Sequence, residues 1–371
     1  MTSSAASGII RQMKIPERND FMRFFRRHKI TTVILSVLIL LIAGTAGYVW
    51  HLLDQIQFIE RTGNNKLTVP TYAEEQQAED GDIDDLKLSA EASSALRDAD
   101  ADIRANLDDS KKWYSNDVQN IMLFGYDYGS KSYPYGRSDA MIVLSINKRA
   151  KKVKIISLSR TAYAAIPGYS NTRLSHAHGY GGPDLAIRAI ELNYKFKIDN
   201  FVACSFDSFK QIIDAFGGVP IALTEKEAKV MREHFGGFQS AGSYNLNGEQ
   251  ALLYARTRKI DTDRDRTGRQ RKILISLAAK ARGFSTTDYM RLLDRILPLV
   301  ATDFTKSELL LQMASAVGYL GWNFEQHLIP AKPYKLVLRD NFEVILMNWP
   351  YEVDYLHEIM YEDVIPNYED S

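Results

Sequence analysis

The densest cluster of chemically useful side chains is the segment from Arg256 to Lys272, which reads RTRKIDTDRDRTGRQRK. It contains eight basic residues in 17 positions, and arginine outnumbers lysine by six to two. Arginine suits phosphate binding best, because its planar guanidinium donates two parallel hydrogen bonds. The apolar stretch Leu252–Ala255 comes directly before Arg256, which favours arginines that leave a buried segment and converge on a cleft. A charged helix face in solvent is the alternative interpretation.

Two carboxylates lie where a metal ion could bind. Asp127 closely follows the apolar run 121–124, and Asp139 directly precedes the apolar run 140–146. Both runs are typical of β-strands, so the two carboxylates would stand at strand ends beside a cleft. Mg²⁺ binds one or two carboxylates together with the phosphates of a substrate. Arginines and a metal together predict a pyrophosphate site, whereas the two aspartates alone are more typical of turn residues.

Arginine and glycine residues elsewhere could join the same site. Arg160 closely follows the apolar run 153–158, so it would also stand at a strand end. The run Gly179–Gly182 comes after Arg173 and before a helical pattern, and glycines that open a helix let phosphate approach the backbone. Cys204 lies in an apolar run, which favours a buried strand and an inert thiol.

The composition excludes several classes of site and of protein. A single cysteine excludes a disulfide scaffold and any multi-cysteine zinc or iron–sulfur site. His176 and His178 are two positions apart on a predicted loop without an evident third ligand, which argues against zinc. Acidic and basic side chains both number 46, so the formal net charge is zero. A globally basic nucleic-acid-binding protein is thereby excluded, and we expect no nucleic acid among the partners.

The segment Ile30–Trp50 predicts a transmembrane helix. Its 21 residues carry no charge, and a helix of that length spans ~31 Å, close to the thickness of the hydrocarbon core. A cleaved signal peptide is the alternative, but its apolar core is shorter. Seven Lys and Arg residues lie in the 20 positions before the segment and two in the 20 after it. The positive-inside rule therefore predicts a single-pass protein of the cell membrane, with residues 1–29 as a cytoplasmic basic tail and an extracytoplasmic remainder.

Residues 51–115 are predicted to form an extracellular acidic stalk that is partly helical. Residues 71–110 carry 13 acidic and 3 basic side chains, which is typical of a solvated spacer. Leu96, Ala99, Ile103 and Leu107 share one helical face, so an amphipathic helix is expected there.

Residues 116–371 are predicted to form the extracytoplasmic catalytic domain, because apolar strand patterns alternate there with helical patterns. The expected fold class is α/β, a three-layer α/β/α domain with a central mixed sheet, preceded by one transmembrane helix. The predicted strands are 121–124, 140–146, 153–158, 199–204, 219–223 and 342–347. The predicted helices are 183–197, 206–216, 248–258, 266–284, 287–300 and 306–320.

Six motifs in a fixed order make residues 120–281 resemble the LytR–CpsA–Psr family of cell-wall glycopolymer ligases. The motifs are Asn120–Asp127 (NIMLFGYD), Gly136–Ile142 (GRSDAMI), Lys152–Arg160 (KVKIISLSR), Asp207–Val219 (DSFKQIIDAFGGV), Leu246–Arg258 (LNGEQALLYARTR) and Asp261–Gln270 (DTDRDRTGRQ). The predicted membrane anchor with an external domain also agrees with this family.

The resemblance implies a site for each candidate residue. Asp127 and Asp139 are implied to bind Mg²⁺ or Mn²⁺. The residues implied to hold the pyrophosphate of a polyprenyl-linked substrate are Arg160, Arg256, Arg258, Arg266 and Gln270, and Asp263 belongs to the same site. We add Arg137 and Arg173 to the predicted pyrophosphate-binding set.

The resemblance also implies an activity. The enzyme would move a glycopolymer phosphate from an undecaprenyl-pyrophosphate carrier to a peptidoglycan hydroxyl, as in the attachment of teichoic acid or capsule. Arg160, Arg256 and Arg258 would stabilise charge during transfer, and Asp263 would be the general base or would orient the arginines. An apolar channel for the lipid is expected beside the arginines, with walls from 185–192, 206–216 and 273–281. The alternatives are a polyprenyl-pyrophosphate phosphatase and a non-enzymatic envelope regulator.

The sequence departs from the family's pattern at three places. Thr161 stands where members commonly have aspartate, Arg173-Leu-Ser175 replaces Lys-Leu-Asn, and Asp263-Arg-Asp-Arg266 replaces Asp-Phe-Gly-Arg. The main phosphate contacts are retained, so these differences concern the acceptor side and the identity of the glycopolymer.

Overall fold

The computed structural model describes residues 47, 50–61, 88–130, 132–258, 260, 262–338 and 342–370. The chain divides into two units, residues 1–54 and residues 55–371. The predicted tail 1–29 lies outside the described residues, and of the predicted membrane segment 30–50 only Gly47 and Trp50 are described. In the part of the chain that is described, no helix is both long and apolar enough to span a membrane.

The second unit contains strands and helices in alternation. Its strands are β1 Gln57–Phe58, β2 Lys111–Tyr114, β3 Val118–Tyr126, β4 Ser138–Asn147, β5 Lys152–Leu158, β6 Tyr163–Ala164, β7 Thr172–Arg173, β8 Asn200–Ser205, β9 Val219–Leu223, β10 Gly242–Leu246, β11 Ala301–Thr302, β12 Asn323–Ile329, β13 Tyr334–Val337, β14 Glu343–Leu346 and β15 Asn367–Asp370. Its helices are α1 Ala90–Leu107, α2 Leu174–Tyr194, α3 Phe206–Ala215, α4 Glu225–Phe235, α5 Gly248–Arg256, α6 Asp263–Ala281, α7 Thr286–Ile296, α8 Lys306–Tyr319 and α9 Trp349–Met360.

The central sheet is mixed, which confirms that part of the predicted fold class. Its strand order is β1-β11-β8-β3-β4-β5-β12. β4 is antiparallel to both β3 and β5, whereas β8 runs parallel to β3 and β12 runs parallel to β5. The ends of β3 and β5 and the beginning of β4 therefore lie at the same edge of the sheet.

Alternating side chains of the central strands enter different cores on the two faces of the sheet. Met122 and Val143 belong to the main core, which also contains the apolar side chains of α2. Ile121 and Ile146 belong to a smaller cluster with Phe304. Apolar side chains on both faces explain why these strands are almost continuously hydrophobic.

A second, smaller core holds the elements that border the sheet edge. β9 and β10 form an antiparallel pair. Their inward residues pack with residues of α3, α4, α5 and α6, including Ile213, Met231, Tyr254 and Ile273. Capping boxes at Thr224, before α4, and at Thr262, before α6, fix where these two helices begin.

The helix α2 consists of two helical segments that meet at a kink, and the first of them was not predicted from the sequence. It starts at Leu174, and only Gly181 and Gly182 depart from helical backbone angles, because Pro183 lacks an amide hydrogen and interrupts the hydrogen-bond ladder. His176 and His178 are therefore helical and buried, and the prediction of a loop was wrong. The glycine run therefore separates two helical segments and precedes the second, which begins at Pro183 as the sequence predicted.

The predicted stalk is partly a component of the folded domain. Leu96, Ala99 and Ile103 of α1 are buried in the main core, as the amphipathic pattern predicted for one helical face. Asp100 accepts a 2.9 Å hydrogen bond from the Tyr163 hydroxyl, and β2 pairs with β15. The boundary predicted at residue 116 therefore lies within the second unit. The acidic composition suggested a spacer because most acidic side chains of α1 are exposed.

Truncation of Ile103 tests this placement of α1. The side chain is almost fully buried, so Ile103→Ala should lower the free energy of unfolding by about 2–5 kcal/mol, measured by urea denaturation. Asp102→Ala on the exposed face of the same helix serves as the control and should change it by less than about 0.5 kcal/mol. Equal, small effects of the two substitutions would show that α1 is a spacer.

Candidate active site

A cleft of about 890 Å³ opens at the sheet edge where β3 and β5 end and β4 begins. Residues from five regions of the sequence line it, and six of them are arginines. The lining residues are Asp127, Arg137, Asp139, Arg160, Thr161, Arg173, Lys229, Val230, Glu233, His234, Leu253, Arg256, Thr257, Arg258, Ile260, Arg266 and Glu343. The structure thus brings together eight of the ten predicted site residues.

Asp127 is held in place by the turn that connects β3 to β4. The amide of Arg137 donates a 2.6 Å hydrogen bond to Asp127 Oδ1, and the Arg137 guanidinium lies 3.6 Å from Oδ2. Gly136 has a φ of +71°, and a Cβ there would come within 2.1 Å of the Asp127 carbonyl oxygen. The turn therefore requires glycine at 136. Burial and the nearby charge of Asp139 raise the pKa of Asp127, against the effect of Arg137.

Asp139 is the counter-charge of the arginine cluster. It forms an ion pair with Arg160, and its backbone carbonyl accepts a 2.8 Å hydrogen bond from Arg266 Nη1. Burial of Asp139 acts to raise its pKa, but the guanidinium groups of Arg160, Arg266, Arg258 and Arg256 outweigh burial and lower it. Asp139 is therefore ionised at neutral pH and neutralises part of the positive charge around it.

Arg266 lies at the floor of the cleft with a side chain that is only 1% exposed. Its Nε donates a 2.8 Å hydrogen bond to Asp263 Oδ1, and its Nη1 binds the Asp139 carbonyl. Its Nη2 is buried without a hydrogen-bond partner. A buried donor in this condition is costly unless a ligand completes it, and an anionic oxygen is the ligand that a guanidinium binds most strongly.

Arg256 and Arg258 form the opposite side of the cleft, at and just beyond the end of α5. The Arg256 guanidinium carbon lies 4.4 Å from the centre of the Phe206 ring, which orients the side chain by a cation–π contact. Partial burial and the neighbouring charges of Arg160 and Arg266 lower the pKa of Arg258 to about 10. Such crowding of like charges favours the binding of an anion.

Arg173 is a buried member of the cleft lining. Its Nε donates a 2.8 Å hydrogen bond to the Glu343 carbonyl, and its guanidinium carbon lies 3.6 Å from the centre of the Phe342 ring. These contacts join β7 to the segment around β14, which the motif region 120–281 does not include.

Two predicted site residues do not line the cleft. Asp263 binds Arg266, and its carboxylate pKa is lowered, because its arginine neighbours outweigh the effect of burial. Among its two predicted roles, this geometry favours the orientation of Arg266 over general base catalysis. Gln270 contacts the Asp139 carbonyl at 3.4 Å and lines an adjoining apolar pocket.

The remaining arginines of the run 256–272 have structural contacts. Arg269 donates a 3.1 Å hydrogen bond from Nε to the Tyr254 carbonyl, and Arg271 donates a 2.7 Å hydrogen bond to the Ser157 hydroxyl. Arg264 is exposed on the outer face of α6. Some arginines of the run therefore line the cleft, some bind backbone or side-chain groups inside the domain, and Arg264 faces solvent, so neither of the two interpretations of the run applies to all of its residues.

An apolar pocket of about 190 Å³ adjoins the cleft and shares Asp139 and Arg256 with it. Its helical walls come from Phe206, Phe209 and Ile212 of α3, Leu252 and Ala255 of α5, and Ile273 and Leu274 of α6. The predicted walls 206–216 and 273–281 therefore contribute. The prediction for 185–192 was wrong, because apolar residues of that segment fill the main core.

Cys204 also lines this pocket, where it is half-buried. Burial raises the pKa of its thiol to about 12, which agrees with the prediction of an unreactive thiol.

Two carboxylates could hold a metal ion in the cleft. Among the residues that the structure describes, no group of three or more His, Cys, Asp or Glu side chains is arranged to bind a metal. Asp127 and Asp139 nevertheless fit a hard cation, because both line the cleft and the charge of Asp139 raises the pKa of Asp127. Mg²⁺ commonly uses one or two carboxylates and completes its shell with phosphate and water.

Comparison with known proteins identifies the family. The sequence model of the LytR_cpsA_psr family matches residues 85–344. The chain belongs to the LytR–CpsA–Psr family. The match begins before α1 and ends in β14, so it also includes the helix that the sequence had assigned to a stalk.

Curated relatives in this family are transferases. The chain is 31% identical over 176 residues to the polyisoprenyl-teichoic acid–peptidoglycan teichoic acid transferase TagT of Bacillus subtilis, covering 46% of this chain and 55% of that protein. It is 33% identical over 232 residues to TagU of Oceanobacillus iheyensis, a transferase of the same description, covering 60% of this chain and 69% of that protein. The chain thus spans about half the length of TagT. The expectation that the chain belongs to a family of enzymes is confirmed.

A solved structure shares the fold. The structure described as the LytR-CPS2A-psr family protein YwtF (TagT) with bound octaprenyl pyrophosphate lipid aligns with a TM-score of 0.51 and 20% identity. The alignment covers 67% of this chain and 91% of the solved chain.

The sequence analysis of this LytR–CpsA–Psr protein missed several cleft residues. Lys229, Glu233 and His234 come from α4, a segment that none of the six motifs includes. Glu343 comes from β14, which begins 62 positions beyond the end of the motif region 120–281. An exposed helix with mixed charge has no local pattern that distinguishes a cleft face from a solvent face.

His178 positions the turn that carries Asp127 and Arg137. Its Nδ1 lies 2.8 Å from the Gly136 carbonyl, so Nδ1 carries the hydrogen that it donates. Its ring stacks on Tyr126 at a centroid distance of 5.1 Å. Burial lowers the pKa of His178 to about 4, against the smaller opposite effect of the hydrogen bond to Gly136.

The low pKa predicts a stability that depends on pH. Between pH 6.5 and pH 4 the unfolded chain binds a proton at His178 that the folded chain does not bind. Stability from this group is therefore complete above about pH 6.5 and is lost as the pH falls, by about 1.4 kcal/mol per unit and about 3 kcal/mol in total.

His178→Phe keeps the ring and removes this titration. The difference in free energy of unfolding between the natural chain and the variant should be about 1–3 kcal/mol at pH 7, because the buried Gly136 carbonyl loses its donor. At pH 4 the natural chain should have lost about 3 kcal/mol of this free energy relative to the variant, so that it is no more stable than the variant. Urea denaturation across this range measures both values, and a difference that is constant with pH would contradict the assignment.

Proposed function

We propose that this chain is a membrane-anchored, extracytoplasmic transferase. It moves a glycopolymer phosphate from an undecaprenyl-pyrophosphate carrier to a hydroxyl of peptidoglycan. The observation that carries the proposal is the junction at Asp139 and Arg256, where an arginine-lined cleft meets an apolar pocket. A polyprenyl pyrophosphate has the same two halves, a doubly charged head group and an apolar chain.

The relatives support this substrate class. TagT and TagU are described as polyisoprenyl-teichoic acid–peptidoglycan teichoic acid transferases. The TagT structure with the same fold is described as containing octaprenyl pyrophosphate. Teichoic acid is therefore the first glycopolymer to test as the transferred group.

The arginines bind the pyrophosphate in this mechanism. Arg266 presents its buried Nη2 from the floor, Arg160 stands beside Asp139, and Arg256 and Arg258 approach from the end of α5. An acceptor hydroxyl attacks the phosphorus nearest the glycan, and the bond from that phosphorus to the bridging oxygen breaks. Undecaprenyl phosphate leaves with the electron pair of that bond, and the guanidinium groups stabilise the charge that develops on the phosphate oxygens.

Asp127 and Asp139 would hold Mg²⁺ or Mn²⁺, which supplies further charge neutralisation at the pyrophosphate. Arg137 holds Asp127 through its amide, and Gln270 contacts the Asp139 carbonyl. Asp263 holds the Arg266 side chain in position at the cleft floor. Arg173 binds the Glu343 carbonyl and forms the wall of the cleft next to β14.

The same proposal places the protein in the cell membrane. Ile30–Trp50 is the single-pass anchor, residues 1–29 face the cytoplasm and the catalytic domain faces outward. An external domain can reach both a lipid-linked donor in the membrane and peptidoglycan outside it.

Transfer in a reconstituted system tests the function. The full chain in liposomes is supplied with undecaprenyl-pyrophosphate-linked teichoic acid precursor and peptidoglycan strands, and polymer bound to peptidoglycan is measured. Arg256→Ala and Arg266→Ala should each lower the rate about 10²–10³-fold, because each removes a donor to the developing charge. Arg264→Ala in the same basic run is the matched control and should retain the rate.

The acceptor decides between reaction types in this assay. Release of undecaprenyl phosphate that needs no peptidoglycan would indicate a phosphatase. Full activity of both cleft variants would refute the pyrophosphate site itself.

The apolar pocket is tested separately by filling it. Cys204→Phe adds a ring to the pocket wall and should weaken binding of octaprenyl pyrophosphate at least tenfold, whereas inorganic pyrophosphate should bind with unchanged affinity, as measured by calorimetry. Cys204→Ser changes the side-chain volume little and is the control. An equal loss of affinity for both ligands in Cys204→Phe would show that the substitution disturbs the cleft. Unchanged affinity for both ligands would exclude the pocket as the lipid site.

A further inference from the structure

We propose that His234 is the base that accepts the proton of the acceptor hydroxyl, an inference that rests on the proposed transfer reaction. The cleft contains five side chains that can accept a proton, namely Asp127, Asp139, Glu233, His234 and Glu343. Their surroundings in the structure distinguish them.

Three of the five carboxylate or imidazole groups are engaged by cations. Asp127 contacts Arg137, Asp139 pairs with Arg160, and the Glu343 carboxylate pairs with Lys335. The ion pairs stabilise the ionised forms of Asp139 and Glu343 and make these two carboxylates weaker bases. Asp127 is excluded on a different ground, because its carboxylate accepts the Arg137 amide hydrogen and would hold the metal in the proposed function. Glu233 and His234 remain as candidates, and both lie on α4.

The face of α4 that carries His234 is directed into the cleft by the packing of the helix. Ala228 and Met231 are buried in the smaller core. Glu227, also on the buried side, lies 3.6 Å from Arg269. Val230, Glu233 and His234 occupy positions i, i+3 and i+4, so they share another face of the helix, and all three line the cleft.

The hydrogen bond of His234 fixes the tautomer that a base requires. Nδ1 lies 2.9 Å from the Val230 carbonyl, which can only accept, so Nδ1 carries the hydrogen in the neutral ring. Nε2 then has a free lone pair. Histidine with a free ring lone pair is the most common general base in enzymes.

The position of His234 also suits an acceptor that arrives from solvent. Arg266, which holds the donor in the proposed function, is buried and the Asp139 side chain is only 13% exposed, whereas His234 is exposed to solvent. A hydroxyl of a large polymer such as peptidoglycan reaches the exposed side first.

The transfer step forms one bond to phosphorus and breaks another, and it moves one proton. The acceptor O–H bond breaks and its proton moves to His234 Nε2, while the acceptor oxygen forms a bond to the phosphorus nearest the glycan. The bond from that phosphorus to the bridging oxygen breaks, and polyprenyl phosphate leaves with the electron pair. His234 returns the proton to solvent before the next turnover.

The test compares transfer with donor binding in the full chain in liposomes. His234→Gln should lower the transfer rate about 10²–10⁴-fold, because the amide cannot accept the proton. Its affinity for octaprenyl pyrophosphate should stay within twofold of the natural chain. In His234→Ala, added imidazole should restore at least part of the lost rate, which a merely structural role would not allow. Arg291→Gln, an exposed change on α7, is the control.

Each alternative outcome has a distinct meaning. Transfer by His234→Gln within twofold of the natural rate overturns the assignment, and loss of transfer in Glu233→Gln instead identifies Glu233 as the base. If His234→Gln lowers the affinity for octaprenyl pyrophosphate by the same factor as the transfer rate, His234 contributes to donor binding and the assignment as base is overturned. A natural chain that transfers nothing would refute the proposed function, and the inference would fall with it.

Discussion

The site depends on one electrostatic constraint, which is that buried guanidinium groups require negative charge beside them. Asp139 meets this constraint through its ion pair with Arg160 and its proximity to Arg256, Arg258 and Arg266. Its backbone carbonyl binds Arg266 as well, so one residue near the beginning of β4 holds side chains from the segment after β5 and from α6. The cluster still has more positive than negative charge, and this excess is what an anionic ligand would neutralise.

The architecture around this cluster brings two kinds of environment together. The sheet edge provides rigid positions for charged side chains, since β3, β4 and β5 pair along their length, with one shift of register between Gly125 and Tyr126. The smaller core places α3, α5 and α6 beside that edge and leaves an apolar pocket between them. Asp139 and Arg256 belong to both regions. A single amphiphilic molecule can therefore contact the charged cleft and the apolar pocket at the same time.

Local sequence patterns predicted elements well where the local and the tertiary environment agreed. The central strands and α3 were predicted within a few residues, because their apolar side chains are buried where the pattern says they should be. The first turns of α2 were missed, since histidines followed by a glycine run have no helical pattern of apolar residues and are typical of a loop. Most acidic side chains of α1 are exposed, so composition could not reveal that Leu96 and Ile103 pack into the main core.

The sequence by itself determined the family, the mixed α/β class and the side chains that gather at the sheet edge, because motif order and strand periodicity are properties of the linear chain. The family motifs singled out Arg256, Arg258 and Arg266, which line the cleft. Only the tertiary structure showed that Arg269 and Arg271 of the same run bind the Tyr254 carbonyl and the Ser157 hydroxyl instead. It also decided that Asp263 binds Arg266 and that His234 lines the cleft from α4. Contacts between segments far apart in sequence depend on how helices pack on the sheet, and no spacing within one segment encodes that packing.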